Sequence, residues 1–193
     1  MKTTSLILTF LIAVVHKAWC CDELPKTCID AGATASGYYT LYLGSKSVPV
    51  TIFCSRCRKE YITLKAINYG QVTCDHHNMA HCGKTTWQKI RIDPQTLHVI
   101  GNDYTYSTPT GPVKIPFGQG GGCVGVGKIS GGFALDLTGT SFEFDTIATK
   151  WKAAGWRPIS QASINADNRR KASGKCGGYC GICEPVGNIT LTI

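Results

Sequence analysis

The densest cluster of reactive side chains is Cys176-Gly177-Gly178-Tyr179-Cys180-Gly181-Ile182-Cys183, three thiols in eight residues. Thiols at that density either hold a metal or oxidise in pairs. A zinc knuckle requires a second C-x-x-C at tetrahedral spacing, and Cys54-Ser55-Arg56-Cys57 supplies one. A disulfide knot requires an oxidising compartment and sharp turns, which the intervening glycines permit. A redox dithiol would need a βαβ setting, and neither motif has one. The knot is the favoured reading.

The second cluster is Cys74-Asp75-His76-His77-Asn78-Met79-Ala80-His81-Cys82. His77 and His81 are four apart, a spacing that metals use on a helical turn. Asn78 stands where the hydrolytic H-E-x-x-H motif has the Glu that activates zinc-bound water. The stretch therefore reads as an exposed loop closed by its two cysteines, with His76, His77 and His81 as outside candidates for a metal. Carboxylates are scattered. Asp136 and Glu143 would face each other as a glycosidase-like pair if their strands formed a hairpin, but alternation more simply puts both on the solvent side. No G-x-S-x-G elbow or phosphate loop is present, and the glycines near Gly120 have no following helix to make a dinucleotide fingerprint. The densest basic region is Lys150, Lys152, Arg157, Arg169, Arg170 and Lys171, interleaved with Trp151 and Trp156. Arg169, Arg170 and Lys171 are the candidates for gripping a sulfated glycan; the alternative is a wetted strand edge. Asn188-Ile189-Thr190 is an N-glycosylation sequon.

The elements that must position these residues are β-strands. Tyr38 to Leu43 and Val48 to Cys54 flank Gly44-Ser45-Lys46-Ser47 and read as a hairpin. Glu60 to Ala66 alternates, with Ile62 and Leu64 opposite Tyr61, Thr63 and Lys65. Trp87 to Asp93 alternates too, with Trp87, Lys89 and Arg91 opposite Ile90 and Ile92. Asp93-Pro94-Gln95-Thr96 is a turn that returns Thr96 to Ile100 alongside. Phe133 to Leu137 and Ser141 to Phe144 make a further hairpin candidate, and Asn188 to Ile193 a closing strand. Only Thr146 to Ala154 has helical character. Gly118-Gln119-Gly120-Gly121-Gly122, in a glycine cluster that runs to Gly127 between strands, reads as a flexible connection. The class is mainly β: a disulfide-rich antiparallel sandwich or partly open barrel with little helix.

Composition agrees. The chain has 193 residues, 20 basic against 12 acidic, and 11 cysteines, with charged residues at 17%. That length buries a real core, and the low charge density excludes disorder. Lys2 followed by the apolar run Leu6 to Val15 and by Ala18-Trp19-Cys20 reads as a secretory signal over residues 1–20, with one domain over 21–193. The run is too short to span a bilayer. Cleavage after Cys20 leaves ten cysteines: Cys21, Cys28, Cys54, Cys57, Cys74, Cys82, Cys123, Cys176, Cys180 and Cys183. An even number outside the cell implies about five disulfides. Loss of Lys2 and Lys17 leaves 18 basic residues against 12 acidic ones, a net +6. The expected protein is secreted and monomeric, without a membrane span or nucleic-acid partner, and binds extracellular matrix proteins or sulfated glycans.

Ordered motifs carry a family resemblance. They are Gly37-Tyr38-Tyr39, Val50 to Cys54, Lys59-Glu60-Tyr61-Ile62-Thr63-Leu64, Lys89-Ile90-Arg91-Ile92-Asp93, Pro116-Phe117, Gly131-Gly132-Phe133, Leu137-Thr138-Gly139-Thr140 and the stretch Gly174 to Cys183. From about Cys28 onward the chain resembles a GON domain, the C-terminal module of certain ADAMTS secreted zinc metalloproteases. The resemblance implies an extracellular module linked to matrix remodelling. Zinc and peptidase activity belong to a separate domain of those proteases, so neither a catalytic residue nor a cofactor is expected here. Compared with the family pattern, a cysteine is missing shortly after Cys123 and an extra one stands at Cys57. The resemblance thus implies a Cys57–Cys123 bridge.

Overall fold

Runs of β-branched and aromatic residues broken by Gly- and Pro-containing turns fold as twelve strands in the computed structural model, which describes residues 23–75 and 79–193. The hairpin β1 (Gly37–Leu43) and β2 (Val48–Cys54) pairs in the expected register, Tyr38 opposite Phe53 and Leu43 opposite Val48. Strand β3 (Glu60–Cys74) is longer than its alternating sequence suggested. It pairs with β4 (Gly83–Arg91), which also carries the short β5 (Ser107–Thr110). Gln88 and Lys89 both donate their backbone N–H to the Tyr106 carbonyl, which bulges β4. The bulge turns Trp87 inward, where it is buried with Ile90 and Ile92, while Lys89 stays on the outer face. The expected grouping of Trp87 with Lys89 and Arg91 is therefore overturned. The Asp93 turn forms as expected: Asp93 Oδ1 accepts from the N–H groups of Gln95 and Thr96, and Val99 returns opposite Ile92.

The glycine cluster is not a flexible connection. Gly120–Cys123 is β6, buried throughout, antiparallel to β11 (Lys171–Pro185) and parallel to β3. This is the one parallel pair among the described strands. Next, β7 (Ile129–Asp136) lies between β11 and β3. Where β6 meets β7 the two backbones are in contact: a Cβ on Gly131 would strike the Gly121 carbonyl, and one on Gly120 would strike Gly132. Only glycine permits that approach. With both edges of β7 taken, the expected hairpin with Ser141 to Phe144 cannot form. Instead β8 (Glu143–Phe144) pairs with the closing β12 (Leu191–Thr192). Nor does Thr146 to Ala154 make a helix. Thr149 exchanges two hydrogen bonds with the Thr190 backbone, and the chain leaves as β9 (Trp151–Gly155) beside β11, followed by β10 (Pro158–Ile164).

Four disulfides join described residues: Cys28–Cys54, Cys74–Cys82, Cys123–Cys180 and Cys176–Cys183. The inner faces of β1, β2, β3 and β4 contribute Leu41, Leu43, Ile52, Ile62 and Ile90 to the core. From the other side come Phe117, Phe133, Leu135, Leu137, Phe142, Phe144 and Leu191. Trp87 meets Phe117 edge-on at 5.3 Å between ring centres. Each such large side chain stabilises by roughly 1.5–3 kcal/mol on burial. The architecture is mainly β, disulfide-rich, and not a closed barrel. No helix among the described residues is long and apolar enough to cross a membrane. The expected signal and Cys21 lie outside the described residues.

Candidate functional site

The cysteine-rich stretch folds as one strand bent back on itself. Gly178 and Cys180 take positive φ, the register of β11 shifts twice, and Cys176 reaches Cys183 inside the core. Cys180 is drawn to Cys123 on β6. The implied Cys57–Cys123 bridge is thus wrong. Cys57 lies exposed in the turn after β2 and forms no disulfide with a described residue. Long-range strand pairing brings Cys123 and Cys180 together, and a count of cysteines could not foresee it.

The described residues do not form the zinc knuckle that the two C-x-x-C motifs would supply. The two C-x-x-C motifs are split up, because Cys54 is oxidised to Cys28 and Cys180 and Cys183 to separate partners. A disulfide sulfur offers no thiolate. His81, exposed, closes a 3₁₀ turn (Met79–His81) next to the Cys74–Cys82 bridge, so the loop is closed as expected. His76 and His77 lie outside the described residues. Among the described residues no three of His, Cys, Asp and Glu converge.

The carboxylates are engaged in holding the fold. Asp136 meets Lys171 Nζ at 3.3 Å, while Glu143 takes Arg169 at 2.6 Å and Arg170 at 3.1 Å through its two oxygens. Asp136 and Glu143 belong to strands that do not pair with each other, so the expected hairpin that would set them face to face is absent. Burial pushes the Asp136 carboxyl up, but hydrogen bonds from the Thr138 hydroxyl and N–H and the charge of Lys171 outweigh it, and its pKa falls below the usual value. Asp103 is held low against the same burial penalty by Thr105, the Tyr61 hydroxyl at 3.1 Å and the charge of Lys59. Arg169, Arg170 and Lys171 remain roughly half exposed, yet each already faces a carboxylate. Lys152 is paired with Glu184, and Trp151 is half-buried, stacked on Phe133 and donating to the Gly118 carbonyl at 2.7 Å. The basic region read from the sequence is therefore partly neutralised, with Glu184, Glu143 and Asp136 set against its six cations.

A cavity of about 460 Å³ lies beside the Cys123–Cys180 bridge, walled by Val72, Val113, Ile115 and Ile182. His81, Lys114 and Gln119 stand at its polar side. Its outer wall is fixed where Ile115 N–H donates to the buried Thr85 hydroxyl at 2.7 Å. It offers space for an apolar group and holds no nucleophile activated by a base. Sequence reading missed this cavity, since its residues come from segments far apart in the chain with no shared motif.

A family model for the GON domain matches residues 67–193. The human protein "A disintegrin and metalloproteinase with thrombospondin motifs 20" is 32% identical over 114 residues, covering 58% of this chain and 6% of the relative. The Caenorhabditis elegans protein "A disintegrin and metalloproteinase with thrombospondin motifs gon-1" is 27% identical over 194 residues, covering 84% of this chain and 9% of the relative. The chain thus spans less than a tenth of the length of these relatives. No solved structure matches it. The family match takes in more than half of the chain, including β4 to β12 and three of the disulfides, and the chain belongs to the GON domain family.

Proposed function

We propose that this protein is a secreted, non-catalytic module that binds extracellular matrix, through a matrix protein or a sulfated glycan, and acts as a monomer without a cofactor. The observation that carries the reading is an imbalance of charge use. Asp103, Asp136, Glu143 and Glu184 are held in ion pairs, and Asp93 and Asp145 accept turn N–H groups. Lys46, Lys65, Lys89, Lys114, Lys128 and Lys175 make no ion pair with a described residue. A surface with spare cations and few spare carboxylates attracts polyanions. The cross-linked β scaffold suits a binding surface in an oxidising compartment. Arg169, Arg170 and Lys171 contribute less than the sequence suggested, because a sulfate must displace Glu143 or Asp136 to reach them. The sequon residue Asn188 is exposed and suits a glycan.

The test is capture from extracellular matrix extract on the immobilised, disulfide-intact protein. The reading predicts components enriched over a reduced and alkylated control. Equal recovery on the unfolded control would contradict it.

A further inference from the structure

The outer face of β1 to β4 carries an aromatic row in which Tyr61 is buried and Tyr38 is exposed. Tyr38, Phe53 and Tyr61 form a row across three strands, since Tyr38 is opposite Phe53 and Phe53 opposite Tyr61. Tyr106 closes edge-on against Phe53 at 5.5 Å and Tyr61 at 4.8 Å. Lys89 places its ammonium over the rings of Phe53 at 4.7 Å and Tyr106 at 5.2 Å. It pairs with Thr63 across β3 and β4, and Lys65 lies one pleat further on the same face. Neither lysine has a carboxylate partner among the described residues.

Beside this row the sheet opens. Strands β2 and β3 are paired only at Phe53 with Tyr61 and Cys54 with Glu60. Where they diverge, the Thr138 to Phe142 turn packs against β3 and leaves a cleft of about 240 Å³. Its lining includes Tyr38, Thr51, Thr63, Lys65, Thr140 and Ser141, with no carboxylate. Tyr38 is 59% exposed, with its hydroxyl 3.3 Å from that of Thr63.

We propose that this face binds a sulfated glycan. Lys65 and Lys89 take its anionic groups, the Tyr38 ring takes a sugar face, and Thr51, Thr63 and Ser141 meet sugar hydroxyls. The proposal rests on the matrix-binding reading above and names its ligand and site. Charge complementarity selects a polyanion, and aromatic rings under Lys89 displace water around its ammonium and strengthen an ion pair there. An acidic peptide is the poorer fit. The cleft presents hydroxyl groups and the Tyr38 ring, which suit the hydroxyls and ring of a sugar rather than carboxylate side chains alone.

The experiment measures binding of the purified protein to heparin, to fully desulfated heparin and to polyglutamate. A Lys65→Ala/Lys89→Ala variant and Tyr38→Ala are expected to weaken heparin binding by about tenfold or more, the loss of one or two charge-assisted contacts or of a ring face. An Arg169→Ala/Arg170→Ala/Lys171→Ala control should change it less. Acetylation footprinting of the unaltered protein needs no variant: heparin should protect Lys65 and Lys89 but leave Lys46 and Lys175 reactive. Unchanged affinity in folded variants, equal binding of polyglutamate or desulfated heparin, or no protection of Lys65 and Lys89 would overturn the proposal. Matrix capture that survives enzymatic removal of sulfated glycans would overturn it while leaving the broader matrix-binding reading standing.

Discussion

The Asn68 carboxamide pairs with the Asp136 backbone as a second strand would: its Oδ1 accepts the Asp136 N–H at 2.7 Å, and its Nδ2 donates to the Asp136 carbonyl at 2.9 Å. Asn68 is fully buried and follows the last backbone pair of β3 with β7, Tyr69 opposite Ala134, so a side chain continues that pairing. Asn68→Ala leaves two backbone groups of β7 without partners. Each costs roughly 1–3 kcal/mol when buried, so denaturant unfolding should show a loss of about 2–4 kcal/mol. A loss below about 0.5 kcal/mol, the usual size for an inconsequential surface change, would show that the pairing is dispensable.

The crossing of β6 over β7 makes a sharper prediction. Gly131→Ala points a methyl group at the Gly121 carbonyl, a backbone atom that cannot swing away. Overpacking usually costs about 1–3 kcal/mol and occasionally more, and here the upper end or a failure to fold is expected. Gly127→Ala, with open space around it, adds only the cost of its positive φ and should be much milder. Thermal melts of the two variants side by side decide the matter; equal melts would contradict the close approach.

Acid should unfold the protein through its aspartates. Asp93 is held low by the Gln95 N–H, Asp145 by the N–H groups of Ala148 and Ile147, and Asp103 and Asp136 by the hydrogen bonds described above. A carboxyl with a lower pKa in the fold than in the open chain binds fewer protons when folded. Its stabilisation is complete above the unfolded value near 3.9 and is lost as pH falls through the folded value. Stability should therefore be flat from about pH 7 to 5 and fall below about pH 4, and Asp136→Asn should remove part of that slope. A fall confined to the range around pH 6.5, where histidine titrates, would contradict this assignment.

Peptide mapping without reduction should recover Cys28–Cys54, Cys74–Cys82, Cys123–Cys180 and Cys176–Cys183 as cross-linked pairs. A peptide joining Cys57 to Cys123 would contradict the packing of β6 against β11.

Much of the fold was legible where neighbouring residues decide the structure. The Tyr38–Cys54 hairpin, the alternation from Glu60 and the Asp93 turn all rest on local propensity and turn chemistry. Whatever depended on distant partners was not. Gly120–Cys123 reads as a loop by composition, yet contact with Gly131 and Gly132 makes it a buried strand. Trp87 reads as outward by alternation until Gln88 bulges against the Tyr106 carbonyl. Arg169, Arg170 and Lys171 look like free charge in the sequence because Glu143 and Asp136 lie far away along the chain. Lys89 over its two rings escaped notice for the converse reason, because Phe53 and Tyr106 come from separate segments of the chain.

The most direct test of the central claim is a binding isotherm of the intact protein on cell-free extracellular matrix, with protein and matrix analysed afterwards. The account predicts saturable retention, with matrix components recovered chemically unchanged. Non-saturable adsorption, or cleavage products accumulating steadily with time, would contradict it.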